Sequence, residues 1–466
     1  MRSQRETLGL LSGAFLAMTL AALDQAIVTP ALPAIARDLH GLGQLSWVVV
    51  AYLITSTTMT LVYGKLSDAH GRGMVVLVAI AIFTGASLLC GFAHDMLQLI
   101  LARALQGVGA GGLLVMAQAM IGDIVPMRER GRYQSYVSIV FAVSTISGPP
   151  LGGLLVEIDW RWCFWINLPL GALAFALCRH IAPLLPAGHG ARPIDYAGLS
   201  LLTATATCFL LVCTWGGTTY AWSSPQIALA FAAAVLLLVL FVWQQRTTSE
   251  PIFPARLFAK NVVRLADATS FVMAVLQFAG IILAPVFLQL VLHVEPAQSG
   301  LLLVPLMAGT TVGSLASGQI MHRTGRYANV MPIGMTATAL GFFLMATMNA
   351  GTPAVVAGIY LAAVGIGIGT CYPILNTAVQ NAAGPRDIGL ATSSVMFSRS
   401  LGGAFGAAVF WSLLLGFVAS DLSRAAAGDL ERGFHDVFLI AGAVGLFGVL
   451  VTTQVRDEPL RAATGA

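Results

Sequence analysis

The chain has 466 residues, of which 57% are hydrophobic and only 9% are charged, and its formal net charge is +4. Soluble domains carry about 25% charged residues, so this composition excludes an ordinary soluble domain and indicates an integral membrane protein. The basic residues are scattered through short polar segments without a basic stripe, which excludes a nucleic-acid-binding surface.

Apolar runs long enough to cross a bilayer, which takes about 20 residues, recur from end to end. They predict an all-α membrane protein with fourteen transmembrane helices, at residues 9–36, 45–63, 74–93, 96–122, 133–157, 162–183, 197–214, 226–244, 265–291, 299–321, 328–348, 354–380, 389–417 and 435–454. The first run is longer than the roughly 7–15 apolar residues of a cleaved signal peptide, so we expect it to be retained. The pair at 197–214 and 226–244 favours fourteen helices over twelve, because a twelve-helix protein would have a polar loop there.

The order of these helices predicts two six-helix bundles, at residues 1–183 and 251–466, joined by an inserted helix pair and linker at 184–250. With the N-terminus inside, the inner segments hold eighteen Lys and Arg residues and the outer segments hold four. Cytoplasmic loops carry such an excess, so both termini are expected in the cytoplasm. The bias of 22 Arg over 2 Lys is typical of a GC-rich bacterial genome, which places the protein in a bacterial inner membrane.

The predicted first helix carries an acid, Asp24, about halfway along its length. A charge at membrane depth usually lines a cavity or meets a partner, and a carboxylate that alternates between a dry cavity and a nearby arginine can carry a proton. We therefore predict that Asp24 carries the coupled proton, with Arg399 as its partner in part of the cycle. A fixed ion pair with Arg399 or Arg103 remains an alternative. Asp267 is a second candidate carrier, although it can equally be an interfacial acid at a helix start.

A short charged loop lies between the second and third apolar runs. In it, Asp68 and Arg72 stand four residues apart, and Gly64 and Gly71 allow a tight turn and a close approach to other helices. The ordinary interpretation is a positively charged inner loop without a special function.

The fourth and fifth helices contain clusters of glycines. In the fourth, Gly107 and Gly111 form a face suited to close helix packing, one turn beyond Arg103. This segment also fits the G-x-G-x-x-G pattern, but that pattern binds dinucleotides only between a strand and a helix. The fifth helix contains the run 148–153, whose Gly148, Pro149, Gly152 and Gly153 predict a kinked helix with tight contacts across a hinge.

These segments resemble the signature motifs of the major facilitator superfamily, and jointly those of its fourteen-helix drug:proton antiporters. The resemblance rests on residues 23–33, 64–73, 101–112, 148–153, 160–169 and 399–403 and covers nearly the whole chain. It implies that the 64–73 loop latches the two halves together, with Asp68 facing a helix N-terminus, and that the fifth-helix motif belongs to an exporter. Ala69 and Gly73 stand where the family usually has basic residues. The latch is therefore expected to be weaker, or to be supplemented by Asp123 and by the basic cluster at Arg128–Arg132.

By analogy with this family, a central cavity binds the substrate. Its polar and aromatic candidates are Gln25, Tyr52, Gln118, Gln277, Phe278, Asn376, Gln380 and Met396. In a membrane helix such side chains more often face lipid or the helix core, which is the alternative for each of them.

We therefore expect a proton-coupled exporter of hydrophobic or cationic drugs, whose partners are a small-molecule substrate, protons and the lipid bilayer, and which is a monomer. A dedicated exporter of one endogenous metabolite is the alternative, and an uptake carrier is disfavoured by the fifth-helix motif. No nucleophile cluster, cofactor loop or Cys-x-x-Cys pair is present, so neither an enzyme nor a metal or cofactor site is expected. The sequence leaves open whether an adaptor protein takes part.

Overall fold

The structure, a computed structural model, describes residues 4–40, 45–185, 195–217, 220–248, 251, 255–294, 302–325, 327–383, 387–418 and 427–455. Within these ranges the long helices are α1 (Gln4–Asp38), α2 (Leu45–His70), α3 (Arg72–Gly91), α4 (Met96–Ile124), α5 (Met127–Ile158), α6 (Asn167–Ile181), α7 (Tyr196–Trp215), α8 (Pro225–Thr247), α9 (Asn261–Leu290), α10 (Val304–Thr324), α11 (Val330–Ala346), α12 (Ala354–Ala383), α13 (Ile388–Val418) and α14 (Ala427–Thr452). Short helical segments at Trp162–Trp165 and Ala255–Phe258 precede α6 and α9.

Each predicted helix overlaps one of these fourteen helices, but only some of them qualify as membrane spans. Eleven segments of the described chain are long and apolar enough to cross a membrane, or twelve if the two parts of α5 form one span. Besides α5, the exceptions are α11, which has only 17 residues, and α10, which is rich in Gly, Ser and Thr. Within the described part of the chain, eleven to twelve helices therefore qualify as spans by length and composition.

The same helix pairings recur in the two parts of the chain. In the first part α2 packs on α4, α1 on α5, and α3 on both α4 and α6; in the second, α10 packs on α12, α9 on α13, and α11 on both α12 and α14. The buried apolar side chains form one large cluster around α9–α14 and two around α1–α6. Such a repeat is typical of transporters that bind substrate between their halves.

Contacts between the two sets of helices follow the same symmetry, because α5 packs on α10 and α2 packs on α13. The inserted pair lies beside the second of these contacts. Helix α7 packs on α8, on α2 and on α13, and its Leu202 and Ala206 form a buried cluster with Leu61 of α2 and Phe397 of α13. The pair therefore covers the α2–α13 seam, while much of α8, including Leu229 and Trp243, is exposed.

Candidate functional site

Asp24 lies in a buried ion pair between α1 and α4. Its Oδ2 is 2.7 Å from Nη1 of Arg103, and Oδ1 accepts hydrogen bonds of 2.8 Å from the side-chain amides of Gln106 and Asn167. Asp24 is 0% exposed and Arg103 is 1% exposed. Because all three partners donate, this geometry suits an ionised carboxylate, which only accepts hydrogen bonds.

The guanidinium of Arg103 is held on its other sides as well. Its Nε donates to the carbonyl oxygen of Val48 at 3.2 Å, and its Cζ lies 4.2 Å from the ring centroid of Tyr52 and 5.7 Å from that of Phe164. Cation–π contacts of this kind strengthen when they are desolvated. The positive charge is therefore satisfied entirely within the first six helices.

In this conformation Asp24 pairs with Arg103, the alternative partner that the sequence left open, and not with Arg399. The predicted pairing with Arg399 in another part of the cycle stays a prediction. Gln106 and Asn167 were not predicted as partners. Gln106 could have been inferred, since it follows Arg103 by three residues and so shares its helix face, whereas the approach of Asn167 depends on how α6 packs.

A cavity of about 180 Å³ lies between the two sets of helices. Its walls are contributed by α1, α4 and α5 on one side and α9, α10, α12 and α13 on the other. The lining residues are Gln25, Gln118, Gln134, Val137, Ser138, Phe141, Ala142, Thr145, Gln277, Phe278, Ile281, Met307, Thr310, Tyr372, Asn376 and Arg399.

Five of the predicted cavity residues lie in this wall, namely Gln25, Gln118, Gln277, Phe278 and Asn376. The other three lie elsewhere in this conformation. Tyr52 covers Arg103, and Met396 is buried against the apolar core of the first six helices. Gln380 donates to the carbonyl oxygen of Gln118 at 3.3 Å and to Thr392 at 3.1 Å, so it ties α12 to α4 beside the cavity.

Arg399 is the one charged residue among the lining side chains that the structure describes. Its Cζ lies 4.4 Å from the ring centroid of Tyr372 and 5.3 Å from that of Phe141. The Tyr372 hydroxyl donates to Gln277 Oε1. Residues of α5 and α12 thus flank the guanidinium, and the carboxylate of Asp24 pairs with Arg103 in this conformation.

The 64–73 segment joins the two halves at one end of the molecule. Asp68 accepts hydrogen bonds from the backbone amides of Gly389 at 3.1 Å and Leu390 at 3.0 Å, at the start of α13. Its Oδ1 also lies 2.5 Å from Nη1 of Arg72, and Arg72 Nε donates to Asp123 Oδ2 at 3.0 Å. A carboxylate at a helix N-terminus is favoured by the helix dipole, so this geometry suits the expected latch.

The glycines of this segment have specific steric roles. Gly71 has a φ of +89°, a backbone conformation that costs other residues free energy. A Cβ added to Gly64 would lie 2.3 Å from the Ser393 hydroxyl of α13. In α4, a Cβ on Gly107 would lie 2.1 Å from Thr55 Oγ1, and one on Gly111 would lie 2.4 Å from the Ser56 carbonyl oxygen. Gly64, Gly107 and Gly111 therefore allow close helix contacts.

Helix α5 bends by 42° between Gly148 and Pro150, as its prolines predict. A Cβ on Gly148 would lie 2.1 Å from Ala26 Cβ, and one on Gly152 would lie 2.5 Å from the Ile27 carbonyl oxygen, so both glycines face α1. Gly153 differs from the expectation of tight packing, because nothing lies within 4 Å of its added Cβ. The side chain of Pro149 lies outside the described residues.

Asp267 lies in α9 and accepts a hydrogen bond of 3.1 Å from the Ser394 hydroxyl of α13. It is partly exposed and lies in the second set of helices, whereas Asp24 and its partners lie in the first. Among the described residues there is no group of three or more His, Cys, Asp or Glu side chains that could hold a metal ion.

Comparisons with known proteins agree with this arrangement. Residues 14–407 match a family model described as Major Facilitator Superfamily. An uncharacterized MFS-type transporter of Mycobacterium tuberculosis (strain ATCC 25618 / H37Rv) is 35% identical over 94% of this chain and 68% of its own length. The multidrug transporter protein MdtP of Bacillus subtilis (strain 168) is 36% identical over 85% of this chain and 73% of its own length.

Two solved structures are similar in fold. The human organic anion transporter MFSD10 superimposes with a TM-score of 0.69 at 14% identity, covering 97% of this chain and all 100% of that protein. The proton:xylose symporter XylE superimposes with a TM-score of 0.65 at 15% identity, covering 96% of this chain and 95% of XylE. At such identities the likeness concerns the fold alone.

Proposed function

Because this chain belongs to the major facilitator superfamily, we propose that it is a secondary efflux transporter that exchanges a hydrophobic or amphiphilic compound for protons. Two observations support export. A relative that aligns with 85% of the chain is named a multidrug transporter. In addition, α5 bends at the glycine–proline segment that resembles the antiporter motif. The central cavity is the proposed substrate site, and rocking of the two halves around it is the proposed transport movement.

The observation that carries the proton part of this proposal is the buried Asp24–Arg103 pair. Protonating Asp24 would remove its negative charge and convert an acceptor-only group into one with a donor proton. The bonds from Arg103, Gln106 and Asn167 would then weaken together. A proton taken up at Asp24 would thus loosen the contacts that hold α1 against α4 and α6.

The cavity and the ion pair are connected through two side chains. Gln25, which lines the cavity, forms a side-chain hydrogen bond with Tyr52. The ring of Tyr52 covers Arg103, and the Tyr52 hydroxyl also lies 3.5 Å from the carbonyl oxygen of Ala21 in α1. We propose that substrate binding at Gln25 is transmitted to the Asp24–Arg103 pair along this path.

The test is gradient-driven transport in inverted membrane vesicles. Asp24→Asn removes the titratable group but keeps a side chain of similar size, so it is expected to abolish transport driven by a pH gradient while substrate still binds. Asp267→Asn is the matched comparison in the other half and is expected to retain gradient-driven transport. Normal transport by Asp24→Asn together with loss by Asp267→Asn would move the coupling site to α9.

We also propose that all fourteen long helices cross the membrane, with both termini in the cytoplasm and the Asp68 latch at the cytoplasmic end. With both termini inside, the turn at 216–224 between α7 and α8 would face outside; residues 218 and 219 of this turn lie outside the described residues. Single cysteines at the exposed positions Ser223 and His70 test the topology in a cysteine-free background. An impermeant reagent should label Ser223→Cys from outside, and His70→Cys only after the membrane is permeabilised. The reverse pattern would overturn the orientation.

The size of the cavity favours one alternative, a dedicated exporter of a single metabolite. At about 180 Å³ it is smaller than the roughly 300–1,000 Å³ of sites for drug-sized ligands. A competition screen against the transported compound separates the two functions, because a broad exporter should be inhibited by many unrelated compounds and a dedicated one by few.

A further inference from the structure

The charge and hydrogen-bonding capacity of the cavity wall carry an inference about the kind of substrate. We propose that the cavity selects small aromatic or apolar compounds that bear an oxyanion, such as a carboxylate or sulfonate, and that Arg399 binds this group. The proposal rests on the proposed transport function and specifies its substrate class. It departs from the cationic substrates expected from the sequence.

Arg399 has no acidic partner within the part of the chain that the structure describes. The ion pairs found there involve Arg72, Arg103, Arg161 and Arg256, and the lining of the cavity contains no Asp or Glu. An arginine at membrane depth usually meets a partner or lines a water-filled cavity. A cationic substrate in this space would meet the positive charge of Arg399 without a compensating carboxylate.

The contacts that the described residues make with Arg399 involve aromatic rings and leave the N–H groups at the edges of its guanidinium without a hydrogen bond. Tyr372 and Phe141 lie against the guanidinium at 4.4 and 5.3 Å from their ring centroids. Stacking on aromatic rings uses the faces of a guanidinium, whereas its five N–H groups point outward from the edges. Two of those N–H groups can bind both oxygens of a carboxylate or sulfonate at once.

Three amide atoms in the same wall have no hydrogen-bond partner among the described residues. They are Gln118 Oε1, Gln134 Nε2 and Asn376 Oδ1, and these residues are only 1%, 2% and 3% exposed. Buried polar groups are normally satisfied, so the wall suits a ligand with polar groups of its own. Gln134 can donate to an oxyanion, while Gln118 and Asn376 can accept from a second polar group.

The remaining wall fits an aromatic body. Phe141, Phe278, Ile281 and Met307 supply an apolar surface in the same cavity as Arg399, and Met adapts its shape to different ligands. The volume of about 180 Å³ limits the ligand to about one or two rings, because drug-sized sites are larger. A two-ring sulfonate is therefore a suitable probe of the site.

Three probes of similar shape test the proposal: 2-naphthalenesulfonate, neutral 2-naphthalenesulfonamide and cationic 2-naphthyltrimethylammonium. Binding is measured by calorimetry with the purified full-length protein in lipid nanodiscs. We expect the sulfonate to bind at least ten-fold more tightly than the cation. Arg399→Gln should weaken sulfonate binding at least ten-fold, and Arg399→Lys should weaken it less, because it keeps the charge but loses the paired N–H geometry. Arg264→Gln, at an exposed arginine of α9 outside the cavity, is the matched control and should bind like wild type.

Two results would overturn the proposal: tighter binding of the cation by wild type, or unchanged sulfonate binding by a folded Arg399→Gln. If that variant does not fold, the wild-type preference among the three probes and the Arg399→Lys result decide the question. Transport separates this proposal from the proposed function. Gradient-driven transport of the cation alone would contradict the substrate class and leave antiport intact. Sulfonate binding that depends on Arg399, without gradient-driven transport, would contradict antiport instead.

Discussion

Arg103 in the first half and Arg399 in the second each place a positive charge deep in the helices, but the two charges have different partners. Each guanidinium lies over a tyrosine ring, Tyr52 at 4.2 Å and Tyr372 at 4.4 Å. Arg103 also has a buried carboxylate at 2.7 Å, whereas Arg399 lines the cavity, and the described residues provide it with no ion pair. Protonation of Asp24 would break up the first arrangement, whereas an anionic ligand would complete the second. In our proposals Arg103 therefore belongs to proton coupling and Arg399 to substrate recognition.

The largest effect on stability is expected when only one partner of the Asp24–Arg103 ion pair is replaced. Arg103→Leu leaves Asp24 buried without its counter-ion, and removing one partner of a buried pair costs about 3–5 kcal/mol. The double variant Asp24→Asn, Arg103→Leu removes both charges and should regain much of that stability while still lacking transport. Thermal unfolding in detergent measures the stability of the single and the double variant. Equal stability of the two would mean that Asp24 carries no penalty when its counter-ion is removed.

The next effect concerns the contact of α5 with α1. Gly152→Leu places a side chain against Ile27 and Pro30, so transport should fall at least ten-fold with near-normal membrane insertion. Gly153→Leu is the matched control, because open space surrounds its added Cβ, and it should transport like wild type. Equal transport by the two variants would show that α5 and α1 tolerate separation.

A smaller effect is expected when the hydroxyl of Tyr52 or of Tyr372 is removed, and the two variants should affect different steps. Tyr52→Phe keeps the ring over Arg103 but removes the hydroxyl that contacts Gln25 and Ala21, which is worth about 1 kcal/mol for an ordinary hydrogen bond. We expect a several-fold loss in the number of protons exchanged per substrate, with unchanged substrate affinity. Tyr372→Phe removes the bond to Gln277 and should instead lower substrate affinity several-fold, with unchanged coupling. Substrate-induced proton release and binding isotherms measure these two quantities, and the opposite assignment would contradict the division between the halves.

The smallest effect is expected at an exposed ion pair outside the spanning segments. Asp38 accepts from Trp160 Nε1 at 2.9 Å and from Arg161 at 3.0 Å, and the Trp160 hydrogen bond holds the pKa of Asp38 below its usual range. A lowered pKa stabilises the fold above the unfolded pKa, and this contribution is lost as pH falls through the lowered value. Because exposed pairs contribute about 0–1 kcal/mol, Asp38→Asn should shift thermal unfolding only slightly at neutral pH. The shift should vanish in acid, and a larger shift in acid than at neutral pH would contradict this sign.

Structural features that depend on a single helix, such as a bend or a face of small residues, were predictable from the sequence. The bend of α5 follows from its prolines, and the close approach at Gly107 and Gly111 follows from their spacing. Gly153 shows the limit of this reasoning. It belongs to the same motif as Gly152, yet one residue further along a helix turns the side-chain direction by about 100°, and so Gly153 faces away from α1.

The sequence by itself determined that the chain is an all-helical membrane protein and that Asp24, Arg103 and Arg399 lie deep in helices, because apolar length and charge at depth are properties of single segments. It also indicated the close contacts at Gly107 and Gly111, but not the open surroundings of Gly153. Only the tertiary structure decided which charges meet. Arg103 reaches Asp24 across α4 and α1, Tyr52 and Met396 turn away from the cavity, and Arg399 faces it. These outcomes depend on the rotation of each helix about its axis and on its neighbours, which packing sets and helical periodicity alone leaves open.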